Sequence, residues 1–228
     1  MPTPTGADVR TRLRSALSSP VPSARLQAVL AAGTHPDPGQ VDALVERCAV
    51  EPDFYVRDVL TWSLTRHPAS ATVPRLLEET RAAGRQARSQ ALHTLSKVGD
   101  PRGWTAVTRD LLHDADDEVA RSAWRAAVVL VPDGSEAELA AALATQLGRG
   151  GRDVQLSLSR ALAALGDAAG PVLTDAARDG DAAVRAHAIA TERLVRDPDE
   201  GFDAAIAEAR RVLALQGAPT LPAGRADR

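Results

Sequence analysis

The sequence is poor in cysteine, aromatics, lysine and long apolar runs, and each shortage excludes something. Cys48 is the only cysteine among 228 residues, so no intramolecular disulfide can form and a zinc site with several cysteine ligands is ruled out. It shares an apolar helical row with Val41, Leu44 and Val45, the place of a small buried hydrophobe rather than a nucleophile. Aromatics make up 3% of the chain, so small aliphatic side chains must fill the core; Ala and Leu are also strong helix formers. Lys97 is the only lysine, so nearly all positive charge is arginine, and the formal net charge is −3. That balance argues against a protein that is basic all over. No apolar run approaches the ~18 residues of a membrane span, and Met1 to Gly6 is Pro/Thr-rich without the apolar stretch of a signal peptide. A cytoplasmic location without membrane contact is the simplest expectation.

Reaction chemistry is equally sparse. His35, His67, His93, His113 and His187 form no His-x-x-x-His or Cys/His cluster. Gly148-Arg149-Gly150-Gly151 lacks the preceding strand and the following Lys-Ser/Thr of a phosphate loop and reads as a turn between helices. Asp114, Asp116, Asp117 and Glu118 form an acidic run at a helix start, which capping explains. The expectation is no metal, no cofactor and no catalytic residue.

What is present is a repeat. A small or apolar residue, usually followed by Arg, recurs at Ala24-Arg25, Val56-Arg57, Ala87-Arg88, Val119-Ala120, Val154-Gln155 and Val184-Arg185, in steps of 32, 31, 32, 35 and 30. Four places on stand Ala28, Leu60, Ala91, Ala123, Leu158 and Ala188. Eight places on stand Ala32, Leu64, Leu95, Ala127, Leu162 and, breaking the pattern, Glu192. A fixed period in this range signifies a helical solenoid. Each period reads as two helices. The first carries sets such as Val9, Leu13, Leu17 or Leu139, Leu143, Leu147, or, in the fourth period, Val107, Leu111 and Leu112; the second carries the recurring pattern. Breakers such as Pro36-Asp37-Pro38-Gly39 and Gly99-Asp100-Pro101 separate them. Asp53, Asp116 and Asp181 precede the second helices by the spacing of N-caps. Residues 199–216 read as a further amphipathic helix capping the last repeat. The predicted architecture is all-α, an α-α superhelix of about six helical hairpins plus a C-terminal helix. It forms a single solenoid over 7–216, with flexible termini at 1–6 and 217–228.

The unit Asp-x-x-Val-Arg-x-x-x-Leu/Ala-x-x-x-Leu resembles the second helix of a HEAT repeat, best at 53–64 and 181–188. The short period resembles the bacterial, phycobilisome-lyase-like subgroup. The resemblance covers roughly residues 7–197. It implies that Asp53, Arg57, Asp181 and Arg185, with Arg25 and Arg88 matching the Arg alone, form a structural ladder between neighbouring repeats. Ala120 and Gln155 interrupt it and imply a looser junction near the fourth and fifth repeats. It also implies that second helices line the concave surface.

With the core at positions 0, +4, +7 and +8 of each second helix, the opposite face carries positions +2, +3, +6 and +10. The expected groove then holds Asp58, Trp62, Arg66, Gln90, His93, Lys97, Arg121, Arg125 and Arg160, a local basic stripe with one aromatic. Trp62 divides evenly between a groove contact and packing on a neighbouring helix; Trp104 and Trp124 read as core or inter-repeat filler. A stripe of this kind attracts anionic partners even on an acidic protein. The primary expectation is a non-enzymatic scaffold or adaptor that holds an acidic or extended protein segment on its concave face. The alternative is nucleic-acid binding, possibly as an alkylpurine DNA glycosylase: some such enzymes are HEAT-like, and Asp58 and Trp62 share one helical face. A lyase-like chromophore-attachment role rests on subgroup likeness alone.

Overall fold

A computed structural model of the chain describes residues 6–197, 199 and 201–216. The expected flexible termini, 1–6 and 217–228, lie outside these residues except for Gly6, which opens the first helix. Among the described residues there are thirteen α-helices and no strand: α1 (Gly6–Leu17), α2 (Pro22–Thr34), α3 (Val41–Val50), α4 (Phe54–Arg66), α5 (Ala69–Glu79), α6 (Arg85–Val98), α7 (Arg109–Leu112), α8 (Asp117–Leu130), α9 (Glu136–Ala144), α10 (Arg152–Ala164), α11 (Gly170–Asp179), α12 (Ala182–Arg196) and α13 (Phe202–Gln216). Consecutive helices pack as hairpins at α1 with α2, α3 with α4, α5 with α6, α7 with α8 and α11 with α12. The even-numbered helices begin at residues 22, 54, 85, 117, 152 and 182, which reproduces the steps of 32, 31, 32, 35 and 30 read from the sequence.

The chain divides into two compact units, Met1–Ala142 and Leu143–Arg228. In the first, the even-numbered helices pack side by side, α2 on α4, α4 on α6 and α6 on α8, while α1, α3 and α5 make a second row. In the second, α12 packs on α10, on α11 and on α13. The expected core positions face inward: Val56, Leu60, Ser63 and Leu64 on α4, Ala87, Ala91, Thr94 and Leu95 on α6, and Val119, Ala123, Ala126 and Ala127 on α8 are all buried. Burying each large aliphatic among them stabilises the fold by roughly 1.5–3 kcal/mol. Small residues at the +7 position bring helix backbones close; of the polar ones, Thr94 pairs with Thr61 (3.4 Å) and Thr191 with Ser159 (2.7 Å), while the Ser63 hydroxyl is buried without a hydrogen-bond partner.

Two elements depart from the expected pattern. On α2 the buried face is Arg25, Val29, Ala32 and Gly33, one residue later than Ala24, Ala28 and Ala31. The shift follows from Trp62, whose ring lies so close over Gly33 that a β-carbon there would stand 2.3 Å from it. Only glycine admits the indole, and α2 is turned to present it. The first helix of the fourth hairpin is a single turn, α7, preceded by a 3-10 segment, Pro101–Ala106. Val107, expected on this helix, lies outside it. The Thr108 side chain caps the turn by accepting from Leu111 N–H at 3.4 Å.

The capping aspartates act as expected: Asp53 accepts from Val56 N–H, Asp116 from Glu118 and Val119 N–H, and Asp181 from Ala183 and Val184 N–H. The ladder differs. No described ion pair joins Asp53 or Asp181 to a recurring arginine; instead these arginines grip carbonyls of the turn before their own helix. Arg25 donates to Ser19 O, Arg57 to Glu51 O and Pro52 O, Arg88 to Ala82 O and Ala83 O, and Arg185 to Ala177 O. Gln155 does the same with its amide, reaching Gly150 O at 3.2 Å, so the substitution keeps the function that the turn requires. The bridge between hairpins uses a different carboxylate, two residues before the cap. Arg25 pairs with Glu51 at 2.6 Å and Arg88 with Asp114 at 3.2 Å. Glu51 and Asp114 also accept the backbone N–H of Asp53 and Asp116. The bridge joins the first hairpin to the second and the third to the fourth; the aspartate cap occurs in every second hairpin, because α2, α6 and α10 start from Val21, Gly84 and Gly151, which lack a capping side chain.

Candidate functional site

The outward face of α4 is the feature that the core pattern leaves unexplained. Residues four apart lie on one face of a helix, and Phe54, Asp58, Trp62 and Arg66 form such a row, all exposed. Tyr55 joins them. Phe54 is 66%, Tyr55 75% and Trp62 41% exposed, so one helix displays three of the six aromatics in the chain. Phe54 and Tyr55 meet edge to face with centroids 5.8 Å apart, and the Arg57 guanidinium sits 5.9 Å over the Phe54 ring. Trp62 packs on the neighbouring helix: one part of the ring covers Gly33 of α2, and the rest meets solvent. Trp124 is core, fully buried with its Nε1–H donated to Leu112 O at 2.9 Å, whereas Trp104 is half-buried. The exposure of Phe54 and Tyr55 is not legible in the repeat pattern because they precede its first core residue, Val56, by two and one places.

Beside this face, α6 and α8 supply charge. His93 on α6 is half-buried, and its pKa is lowered first by burial and then by Arg125 and Lys97, with Asp58 opposing. The structure therefore brings Asp58, His93, Lys97 and Arg125 within electrostatic reach of one another. Burial and the neighbouring Arg121 lower the Arg125 pKa while Glu118 opposes them, and its guanidinium donates to Ser122 Oγ at 3.1 Å. Arg121 spends its charge on Glu118 at 2.7 Å, which thins the expected basic stripe. Arg66, Lys97 and Arg125 have no ion-pair partner among the described residues. Gln90 opens elsewhere, on a cleft of about 240 Å³ shared with Arg57, Arg85, Gln86, Ser89, Asp116 and Glu118. Arg160 belongs to the second unit, where it lines a larger cleft.

The reactive-looking groups are structural. Cys48 is buried, and desolvation, reinforced by Glu79 and Glu51, pushes its thiol up to about 12. Ser159 and His187 stand 3.0 Å apart, the spacing of a nucleophile and its base, yet both are fully buried. The tautomer is also wrong for base catalysis. Gly148 N–H donates to His187 Nδ1 at 3.0 Å, so the ring proton sits on Nε2, where Gln155 O accepts it at 3.0 Å. A protonated Nε2 cannot accept the serine proton. Among the described residues, no group of three or more His, Cys, Asp or Glu is placed to hold a metal ion, and no helix is long and apolar enough to cross a membrane.

No family model matches the chain, and no curated protein matches it. Among solved structures, a crystal structure of an engineered protein is similar over 89% of this chain and 97% of that chain, at 19% identity and a TM-score of 0.45, a likeness too distant to bear on fold or function.

Proposed function

We propose that the first unit is a HEAT-like scaffold and that the face built by α4, α6 and α8 binds an acidic, extended segment of a partner protein. The observation that carries this reading is the exposed Phe54–Asp58–Trp62–Arg66 row of α4 set beside His93, Lys97 and Arg125. Rigid aromatics offer large contact areas at small entropic cost and are enriched at interface hot spots. The adjoining cations meet carboxylates by Coulomb attraction. No residue on this face is arranged as a nucleophile with its base. Binding of single-stranded nucleic acid, by base stacking on the same rings and phosphate contacts to the same cations, is the second reading.

Salt and substitution separate the two. Fluorescence anisotropy of a labelled glutamate-rich peptide containing spaced leucines should show saturable binding, weakened at least about tenfold in a Lys97→Glu/Arg125→Glu variant. A single-stranded oligonucleotide that bound more tightly than the peptide, with affinity falling steeply as salt rises, would replace the protein reading with the nucleic-acid one.

A further inference from the structure

A cleft in the second unit has no role in the reading above. It encloses about 800 Å³ between α10, the C-terminal end of α12 and the first turn of α13, within the range of roughly 300–1,000 Å³ typical of small-molecule sites. Its walls are Leu156 and Ala163 from α10, Leu194 and Val195 from α12, and Phe202 from α13. Leu156 and Leu194 pack against the core formed by Ala186, Ala190, Phe202, Ala205, Ile206 and Ala209, so each presents one side to the core and another to the cleft. Val195 is left 45% exposed. Three charges stand at the rim. Arg152 clamps Asp203 through a two-pronged contact of 2.6 and 2.7 Å, which ties the start of α10 to the start of α13, and it also pairs with the neighbouring Asp153 at 2.9 Å, so its charge is spent. The third, Arg160, is exposed and has no ion-pair partner among the described residues.

An apolar cleft with one uncompensated guanidinium selects for a molecule of matching polarity. We infer that this cleft binds a small amphipathic anion, an aliphatic chain bearing a single carboxylate, with the chain against Leu156, Leu194 and Phe202 and the carboxylate on Arg160. Arg160 is suited to the task because a guanidinium presents two parallel N–H donors to a carboxylate. Ser159 also lines the cleft but is committed: its hydroxyl pairs with His187 at 3.0 Å and with Thr191 at 2.7 Å. Recognition therefore falls to Arg160 and the apolar walls. The inference concerns the second unit alone and is independent of the binding reading for the first.

Calorimetric titration of the full chain with decanoate below its micellar range tests it, with decyltrimethylammonium as the chain-matched cation. The expected result is one saturable decanoate site and no cation site. Arg160→Gln, a change at an exposed side chain that leaves the fold alone, should weaken decanoate at least about tenfold, the loss expected when a charged hydrogen-bond partner is removed. Ala163→Phe, which fills the cleft, should abolish binding. Absence of saturable decanoate binding below about 1 mM, equal binding of the cation, or decanoate affinity unchanged in Arg160→Gln would each overturn the inference.

Discussion

Glu51 is fully buried and yet ionised, which defines what single residues contribute here. Burial alone would raise its pKa, but hydrogen bonds from Arg25, Arg47 and the Asp53 N–H outweigh that and lower it to about 2. A carboxylate whose folded pKa lies below its unfolded value, ~4.3, stabilises fully above that value and loses its contribution as the pH falls through about 2. Glu51→Gln should therefore cost about 3–5 kcal/mol at neutral pH, the penalty of stranding a buried arginine. Urea denaturation should also show a flatter acid limb below pH ~4.3 in the variant. His187 acts in a higher window. Burial lowers its pKa to about 4, with the Gln155 carbonyl opposing, so stability is complete above the unfolded value near 6.5 and declines as the pH drops from there to about 4. In His187→Gln an amide can accept from Gly148 and donate to Gln155 without titrating, and the slope of stability against pH across that window should flatten, leaving the smaller contribution of His93. Gly33→Ala tests the Trp62 seat. Ala gains about 1 kcal/mol of helix propensity while expelling the ring. Net stability should change little, while Trp62 becomes more accessible to acrylamide quenching; an unchanged quenching profile would show that the ring does not rest on Gly33.

At the scale of the helix, the even-numbered elements were legible because their buried positions recur with a fixed spacing that few other patterns mimic. α7 was not, since its apolar residues sit in a 3-10 segment and a one-turn helix whose burial is fixed by tertiary partners such as Trp124. The inter-hairpin bridge was half legible. The arginines announce themselves, but Glu51 and Asp114 lie five residues before the reference valine and pair 26 residues from Arg25 and Arg88, a contact that exists only once the hairpins stack. Of the residues expected on the candidate face, Asp58, His93, Lys97 and Arg125 come within electrostatic reach of one another and Trp62 and Arg66 share the row of Asp58, while Gln90 turns to another cleft. Phe54 and Tyr55 fell outside the counted positions, and the Arg121–Glu118 pairing needed side-chain geometry. This face predicts a pH effect on binding. His93 is held below its ordinary pKa by burial and by Arg125 and Lys97, and an acidic partner reverses the local field. The complex then takes up a proton, so affinity for the glutamate-rich peptide should rise as the pH falls from 7.5 towards ~6. That gain should be absent from His93→Gln.

At the scale of the molecule, repetition carries two periods, one hairpin for the core and two hairpins for the aspartate caps. Asp53, Asp116 and Asp181 cap alternate repeats, and Glu51 and Asp114 bridge to the arginine of the repeat before. In a repeat array stability is close to a sum of local terms. The proposed binding face is the side of α4 that the core pattern leaves exposed, with the cations of α6 and α8 beside it. The central claim is that this face captures a protein. Its most direct test is affinity capture from source-cell lysate with the wild-type chain and the Lys97→Glu/Arg125→Glu variant as paired baits, after nuclease treatment and at low and moderate salt. The account predicts a defined protein, containing an acidic segment, that the wild type retains at both salts and the variant loses. The same proteins on both baits, or nucleic acid as the sole species lost on substitution in a parallel arm without nuclease, would contradict it.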